Sequence, residues 1–193
     1  NGCIVTNTYI VNEPSEIIID SVVTPLSCYI SMDGAIDITV TGGTGSYDYT
    51  WSSGDLTQDI SFLEANTYTV TVIDFNGCNV SESFTVTQPD LLEYTGIITP
   101  VSCFGYNDGS LVVIPTGGTS PYNYQWSIPA GNTDSIGGLY AGNYQFSITD
   151  DNGCQAQGAL TMVEPSGILQ STNITAVSCN GGSDGEIDLV VSG

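Results

Sequence analysis

The chain of 193 residues has no Lys, Arg or His against 14 Asp and 7 Glu, a formal net charge of −21. Such a surface repels nucleic acid and anionic membranes, which both need basic partners, and it holds no salt bridges. The groups that serve acid–base catalysis, triads and anion stabilisation are also missing, apart from carboxylates.

Taken in order, the sequence reads as strands separated by turns. Ile17 to Thr24 is an apolar run rich in β-branched residues. Ile36, Ile38 and Val40 alternate with Asp37, Thr39 and Thr41, the pattern of a half-buried strand, and Gly42-Gly43 ends it. Tyr47, Tyr49 and Trp51 share one face of the next strand. A short apolar segment surrounds Ile60 and Leu63. Tyr68, Val70 and Val72 then alternate with Thr69 and Thr71, Asp74–Gly77 supplies turn chemistry, and a last strand runs from Val80 to Thr87. No segment carries a helical period, and no apolar run is long enough to span a membrane as a helix.

The same order then recurs. Cys28 to Trp51 and Cys103 to Trp126 share Cys, Asp-Gly, Thr-Gly-Gly-Thr, Tyr-x-Tyr and Trp at matching places, and Cys179 begins the pattern a third time. Cys28, Cys103 and Cys179 are spaced by 75 and 76 residues, as are Cys3, Cys78 and Cys154. One inserted residue, in the second module's counterpart of Ser52 to Ile60 (Ser127 to Ile136), accounts for the extra step. The expected division is the end of one module (1–14), two full modules (15–89 and 90–165) and the head of another (166–193), a window on a longer array. Six or seven short strands per module predict an all-β fold of tandem immunoglobulin-like sandwiches strung end to end. A core of about 75 residues is small, so stability is expected from Trp51 and Trp126, the Tyr residues (Tyr68 and Tyr144 among them) and disulfides. Like-charge repulsion over a Debye length of about 8 Å keeps neighbouring modules soluble and apart.

These residues carry a resemblance. The chain resembles the SprB-repeat family, named for a gliding-motility adhesin of Bacteroidetes. The resemblance lies in Ser102-Cys103-Phe104-Gly105 with Asp108-Gly109, the Gly-Gly-Thr to Tyr-x-Tyr-x-Trp centre, Gly142-Asn143-Tyr144 and the Asp-x-Asn-Gly-Cys close. Ile30 and Asn66 depart from it, each standing where the other module has Gly. The resemblance implies a very large protein exported by the type IX system. It would sit at the cell surface as an outer-membrane-attached filament and grip the substratum or extracellular polysaccharide, with motility machinery engaged through other parts. A weaker similarity, through Tyr68–Gly77, is to PKD-like domains.

Two cysteines per module fit an oxidising, exported setting, and the absence of His and of Cys-x-x-Cys argues against zinc. Three pairings of Cys3, Cys28, Cys78, Cys103, Cys154 and Cys179 stay open: within modules (Cys28–Cys78, Cys103–Cys154), across the junction (Cys28–Cys154), or Cys3–Cys28, Cys78–Cys103 and Cys154–Cys179. No cofactor is required. Calcium is the cation that the oxygen ligands would suit, at Asp33, Asp108 and Asp184 in one loop and at Asp74 and Asp150 in another. The competing reading makes these residues turn formers whose oxygens accept backbone N–H bonds. Asp20-Ser21-Val22 and Asp134-Ser135-Ile136 match the Asp-Ser/Thr-aliphatic pattern O-glycosylated in Bacteroidetes, at the frequency chance allows in such a sequence. The expected role is a non-enzymatic stalk with neighbouring repeats as partners. The rival is an array of carbohydrate-binding modules with Tyr47, Tyr49, Tyr122 and Tyr124 as exposed stacking platforms.

Overall fold

The computed structural model describes residues 2–193, and the described residues form strands and turns with no helix. They divide into two compact units, Asn1–Asp90 and Leu91–Gly193. The first unit contains β1 (Ile18–Thr24), β2 (Gly34–Thr41), β3 (Tyr47–Trp51), β4 (Ile60–Leu63), β5 (Asn66–Asp74) and β6 (Asn79–Val86). The second repeats them as β7 (Glu93–Thr99), β8 (Gly109–Thr116), β9 (Asn123–Trp126), β10 (Ser135–Leu139), β11 (Gly142–Thr149) and β12 (Gln155–Met162). It then adds a hairpin, β13 (Leu169–Thr175) with β14 (Glu186–Ser192).

Each repeat is a two-sheet sandwich. In the first unit β1-β2-β4 form one antiparallel sheet and β3-β5-β6 the other, and in the second unit β7-β8-β10 and β9-β11-β12 do the same. This is the immunoglobulin arrangement, first, second and fifth strands against third, sixth and seventh, without the usual fourth strand. The alternation in sequence explains it. Ile36 and Ile38 on β2, and Val70 and Val72 on β5, are at most 2% exposed and meet between the sheets, while their neighbours Asp37 and Thr39 face out. Leu111, Val113, Phe146 and Ile148 do the same in the second unit.

Trp51 and Trp126 close the cores from the third strand of each repeat, where immunoglobulin domains carry their buried Trp. Each indole N–H reaches a carbonyl at 2.9 Å, Thr57 for Trp51 and Thr133 for Trp126. Tyr68 and Tyr144 are half-buried, with rings packed against the core and hydroxyls at its rim. Each donates to the carbonyl four residues upstream, Glu64 at 3.1 Å and Tyr140 at 2.9 Å. That is the tyrosine corner of immunoglobulin-like folds, a connection that sequence reading treats only as core packing.

The glycine of each Asp-Gly pair does something other than turn the chain. Gly34 and Gly109 begin β2 and β8, and a Cβ there would stand 2.7 Å from Val86 and 2.9 Å from Met162. Gly is needed for close packing of the last strand, while the Asp makes the turn. In the hairpin, Ile187 and Leu189 occupy the places of Ile36 and Ile38 but are 73% and 55% exposed. β13 and β14 present the inner face of a sandwich with no second sheet over it among the described residues.

Candidate functional site

The carboxylates singled out from sequence are each used by the protein's own backbone. Asp74 and Asp150 are 4% and 3% exposed. Asp74 Oδ1 accepts N–H bonds from Asn76 (3.0 Å) and Cys78 (2.8 Å), and Oδ2 accepts one from Thr44 (2.9 Å). Asp150 repeats this with Asn152 (3.0 Å), Cys154 (2.8 Å) and Thr119 (2.8 Å). A buried charge is tolerable when its lone pairs are filled in this way, and one carboxylate thereby clamps two loops together.

Asp33, Asp108 and Asp184 sit in the other recurring loop and are exposed. Each accepts the backbone N–H six residues upstream, Ser27 at 3.1 Å, Ser102 at 3.0 Å and Ser178 at 3.0 Å. Hydrogen bonding from those serine hydroxyls, first of all, holds the three carboxyls below their usual range. Ser31 adds a second hydroxyl on Asp33, at 2.5 Å. Among the described residues no three of Cys, Asp and Glu come together in the manner a metal needs.

The tyrosines in and just before the third strands lean on the cores. Tyr47, Tyr49, Tyr122 and Tyr124 are half-buried and pack against the two cores. The Tyr47 hydroxyl donates to the Gly42 carbonyl and Tyr122 to that of Gly117, which pins both rings flat across the end of the second strand. Burial raises the Tyr49 and Tyr124 phenols above their ordinary range.

Cys28 and Cys154 are disulfide-bonded, and Cys3, Cys78, Cys103 and Cys179 carry exposed free thiols. Pairing within a repeat is therefore corrected, as is any scheme that bonds all six cysteines. The physical reason lies in the first unit. The turn of Cys28 sits against Gln88, through the Ile30 N–H at 2.9 Å, whereas Cys78 closes the Asp74 loop at the far end of β5. Nine residues of strand separate those ends by about 30 Å, and a bridge needs Cα atoms within about 7 Å. Ser21 and Ser135 lie exposed on strands at the margin of their sheets, β1 and β10.

One surface escaped sequence reading altogether. The outer face of the β9-β11-β12 sheet bears Asn123, Gln125, Asn143, Gln145, Gln155 and Gln157 among hydroxyls, with no carboxylate. Gln125, Ser147 and Gln157 stand side by side on three neighbouring strands. The matching rung in the first unit is Thr50, Thr71 and Ser81, and Asp48 is the single carboxylate on that face. There the hydroxyls bond one another across strands, Thr67 to Thr85 at 3.0 Å and Thr69 to Ser83 and Thr71 to Ser81 at 2.8 Å. The signal was present as alternate Asn, Gln, Ser and Thr, but polar alternation reads as ordinary solvated strand.

The sequence model of the SprB repeat matches residues 21–56, 95–131 and 171–193, once in each copy of the repeating head. The chain is built from SprB repeats. Its family points to an extracellular, adhesin-like repeat segment. No curated protein matches the sequence. Among solved structures, a C-terminal 282-residue fragment of intimin, determined in complex with the intimin-binding domain of the translocated intimin receptor, is 15% identical. The alignment covers 84% of this chain and 67% of that one at a TM-score of 0.39, a distant likeness. The first two matched segments run from the first strand of the repeat into the loop beyond the third, the part that holds the Asp-Gly turn, Gly-Gly-Thr and Trp, and the last spans the β13–β14 hairpin with its Asp-Gly turn.

Proposed function

We propose that this segment is a stalk in a long extracellular adhesin filament at the cell surface, serving attachment during gliding. The observation that carries the reading is that the same sandwich recurs with inward apolar residues at the same places. Ile36 and Leu111, Ile38 and Val113, Trp51 and Trp126, and Val72 and Ile148 occupy equivalent buried places. Repetition of a core, with no His, Lys or Arg to equip a reaction centre, suits a spacer whose length is set by repeat number. Its partners are then neighbouring repeats and, through the whole protein, the substratum and the motility machinery.

Labelling the repeat on living cells with a fluorescent antibody fragment tests this. Signal that travels along the cell and stops when the motor is de-energised supports the full proposal. A static surface signal removes motility and keeps the stalk. Absence of signal on expressing cells overturns the localisation. A carbohydrate-binding array built on Tyr47, Tyr49, Tyr122 and Tyr124 gains no support, because those rings are committed to the cores. Mapping of non-reduced peptides, cut at Asp and Glu since trypsin has no sites, identifies the partner of Cys28.

A further inference from the structure

We propose that the outer face of the β9-β11-β12 sheet is a binding surface for a neutral polysaccharide, centred on Gln125, Gln145 and Gln157. The inference deepens the adhesive reading above and rests on it for the setting in which such a ligand is met.

Charge is the first argument. A chain with 21 carboxylates and no cation is strongly acidic as a whole, yet this face carries no carboxylate. An anionic polymer is repelled by the surrounding field, and a cationic one is drawn to the carboxylates elsewhere. What suits a neutral patch inside an acidic surface is a neutral partner rich in hydroxyls. Carboxamides match such a partner, since each offers two N–H donors and a carbonyl acceptor. The side chains of Gln125 and Gln145 make no hydrogen bond to other described residues, and Gln157 has only a 3.4 Å contact with Gln155. Their donors and acceptors point to solvent, whereas the hydroxyls on the equivalent face of the first unit are spent on one another.

Shape is the second. A depression of about 280 Å³ lies on this face, lined by Gln125, Ser127, Gln145, Ser147 and Gln157 with Trp126 and Phe146. That is just below the usual range of about 300–1,000 Å³ for ligand pockets, room for one sugar ring of a longer chain. The site is a shallow cradle, so affinity per repeat is low and attachment grows by repetition.

Affinity electrophoresis of the whole chain tests it, in gels containing soluble neutral glucans, xylans, mannans or galactans, with alginate and pectate as anionic comparators. At least one neutral polysaccharide should reduce mobility twofold or more, and neither anionic polymer should. Gln145→Glu and Gln157→Glu place a charge on the cradle without changing side-chain size. Each should weaken retardation at least tenfold with the melting temperature unchanged, while Thr71→Glu in the first unit should leave it intact. In nuclear magnetic resonance spectra the side-chain amides of Gln125, Gln145 and Gln157 should shift on addition of the retarding glycan. Failure of every neutral glycan to retard the chain overturns the proposal, as does retardation that survives both Gln variants. A chain that labels the cell surface yet is never retarded leaves the stalk standing and sinks the site. One that is retarded but absent from the surface does the reverse.

Discussion

The two repeats solve one packing problem with different residues. In the first unit the ring against Trp51 is Phe84 on β6, at 6.2 Å between centroids. In the second, position 84 becomes Leu160, and the ring moves to β11 as Phe146, 5.4 Å from Trp126. Phe146 takes the place that Val70 holds, and Tyr94, in the place of Ile19, stands edge-on to it at 4.8 Å. The added bulk needs room, and Gly158 provides it. A Cβ on Gly158 would lie 2.1 Å from the Tyr94 hydroxyl, whereas the first unit carries Glu82 there. The Trp and its carbonyl partner are held constant, as are Ile60 and Ile136 and Leu63 and Leu139 on the fourth strand of each unit, while the ring beside the Trp is not. The lesson is that the fold requires a filled volume beside Trp, supplied jointly by several strands, more than a given residue at a given strand position.

The sharpest way to break the comparison is to remove the ring on each side. Phe146→Ala should cost the second unit about 3–5 kcal/mol, since it empties a buried site contacted by both Trp126 and Tyr94. Phe84→Ala, at the rim of its core with 8% exposure, should cost the first unit less. Denaturant unfolding of each unit separately measures both, and equal losses would refute the assignment of different partners.

A smaller effect is expected where the repeats agree. Asp150→Asn replaces one acceptor oxygen by a donor facing an N–H, and should cost about 2 kcal/mol. Asp74→Asn should match it. Unequal losses in thermal melts would show that the two loops are not held alike.

Smaller again, and opposite in sign, are two turns. Ile30 (φ 54°) and Phe62 (φ 60°) adopt left-handed backbone where the second unit has Gly105 and Gly138 at φ 74° and 71°. A β-branched residue is poorly suited to that region. Ile30→Gly and Phe62→Gly should each stabilise the first unit by about 1 kcal/mol, Ile30 more than Phe62. Both side chains are exposed, at 72% and 79%, so little packing is lost. A fall in melting temperature on either change would contradict this account.

The smallest effect is on pH. Asp33, Asp108 and Asp184 have folded values below their unfolded ones, because serine hydroxyls bond the charged form. Their contribution is fully present above about pH 4, the unfolded value, and is lost as pH falls through the folded value. Relief of repulsion among all 21 carboxylates acts in the opposite direction. The reading is therefore the difference between the wild type and Asp108→Asn: the protection of the Ser102 amide, taken relative to the intrinsic exchange rate at each pH, should fall on acidification in the first and be already low in the second.

Strands were legible because each is half-buried and alternates. Ile60–Leu63 and Tyr47–Trp51 were found within a residue or so, and the tandem repeat fixed the order of the rest. The repeat also located the Asp loops, whose carboxylates accept backbone N–H bonds. Sequence misled where a residue's role depends on what lies across the sandwich. Gly34 looked like a turn residue and is a packing surface for Val86. Tyr47 and Tyr49 stood open between core packing and exposed platforms, because alternation with Asp48 and Thr50 does not say which face meets the second sheet; that side faces the core. Within-repeat cysteine pairing was arithmetically natural and was defeated by strand length. The carboxamide face was invisible for a different reason: Gln125, Ser147 and Gln157 are neighbours only through the pairing of three strands.

The register of β1 has a mechanical consequence. The chain comes into the sandwich of the first repeat at Ser15, whose carbonyl is held by the Gly43 N–H at 2.8 Å, beside the Asp74 loop. It leaves at Thr87, held by the Leu26 N–H at 2.9 Å, at the other end of the strands. Tension applied between those points pulls β1 lengthwise along β2, across all the pairs from Ile18–Thr41 to Thr24–Ala35 at once. The hydrogen bonds are loaded in shear and must yield together, where a peeling geometry would open them singly. Drag on a tethered cell would thus meet its resistance in the first two strands of a repeat.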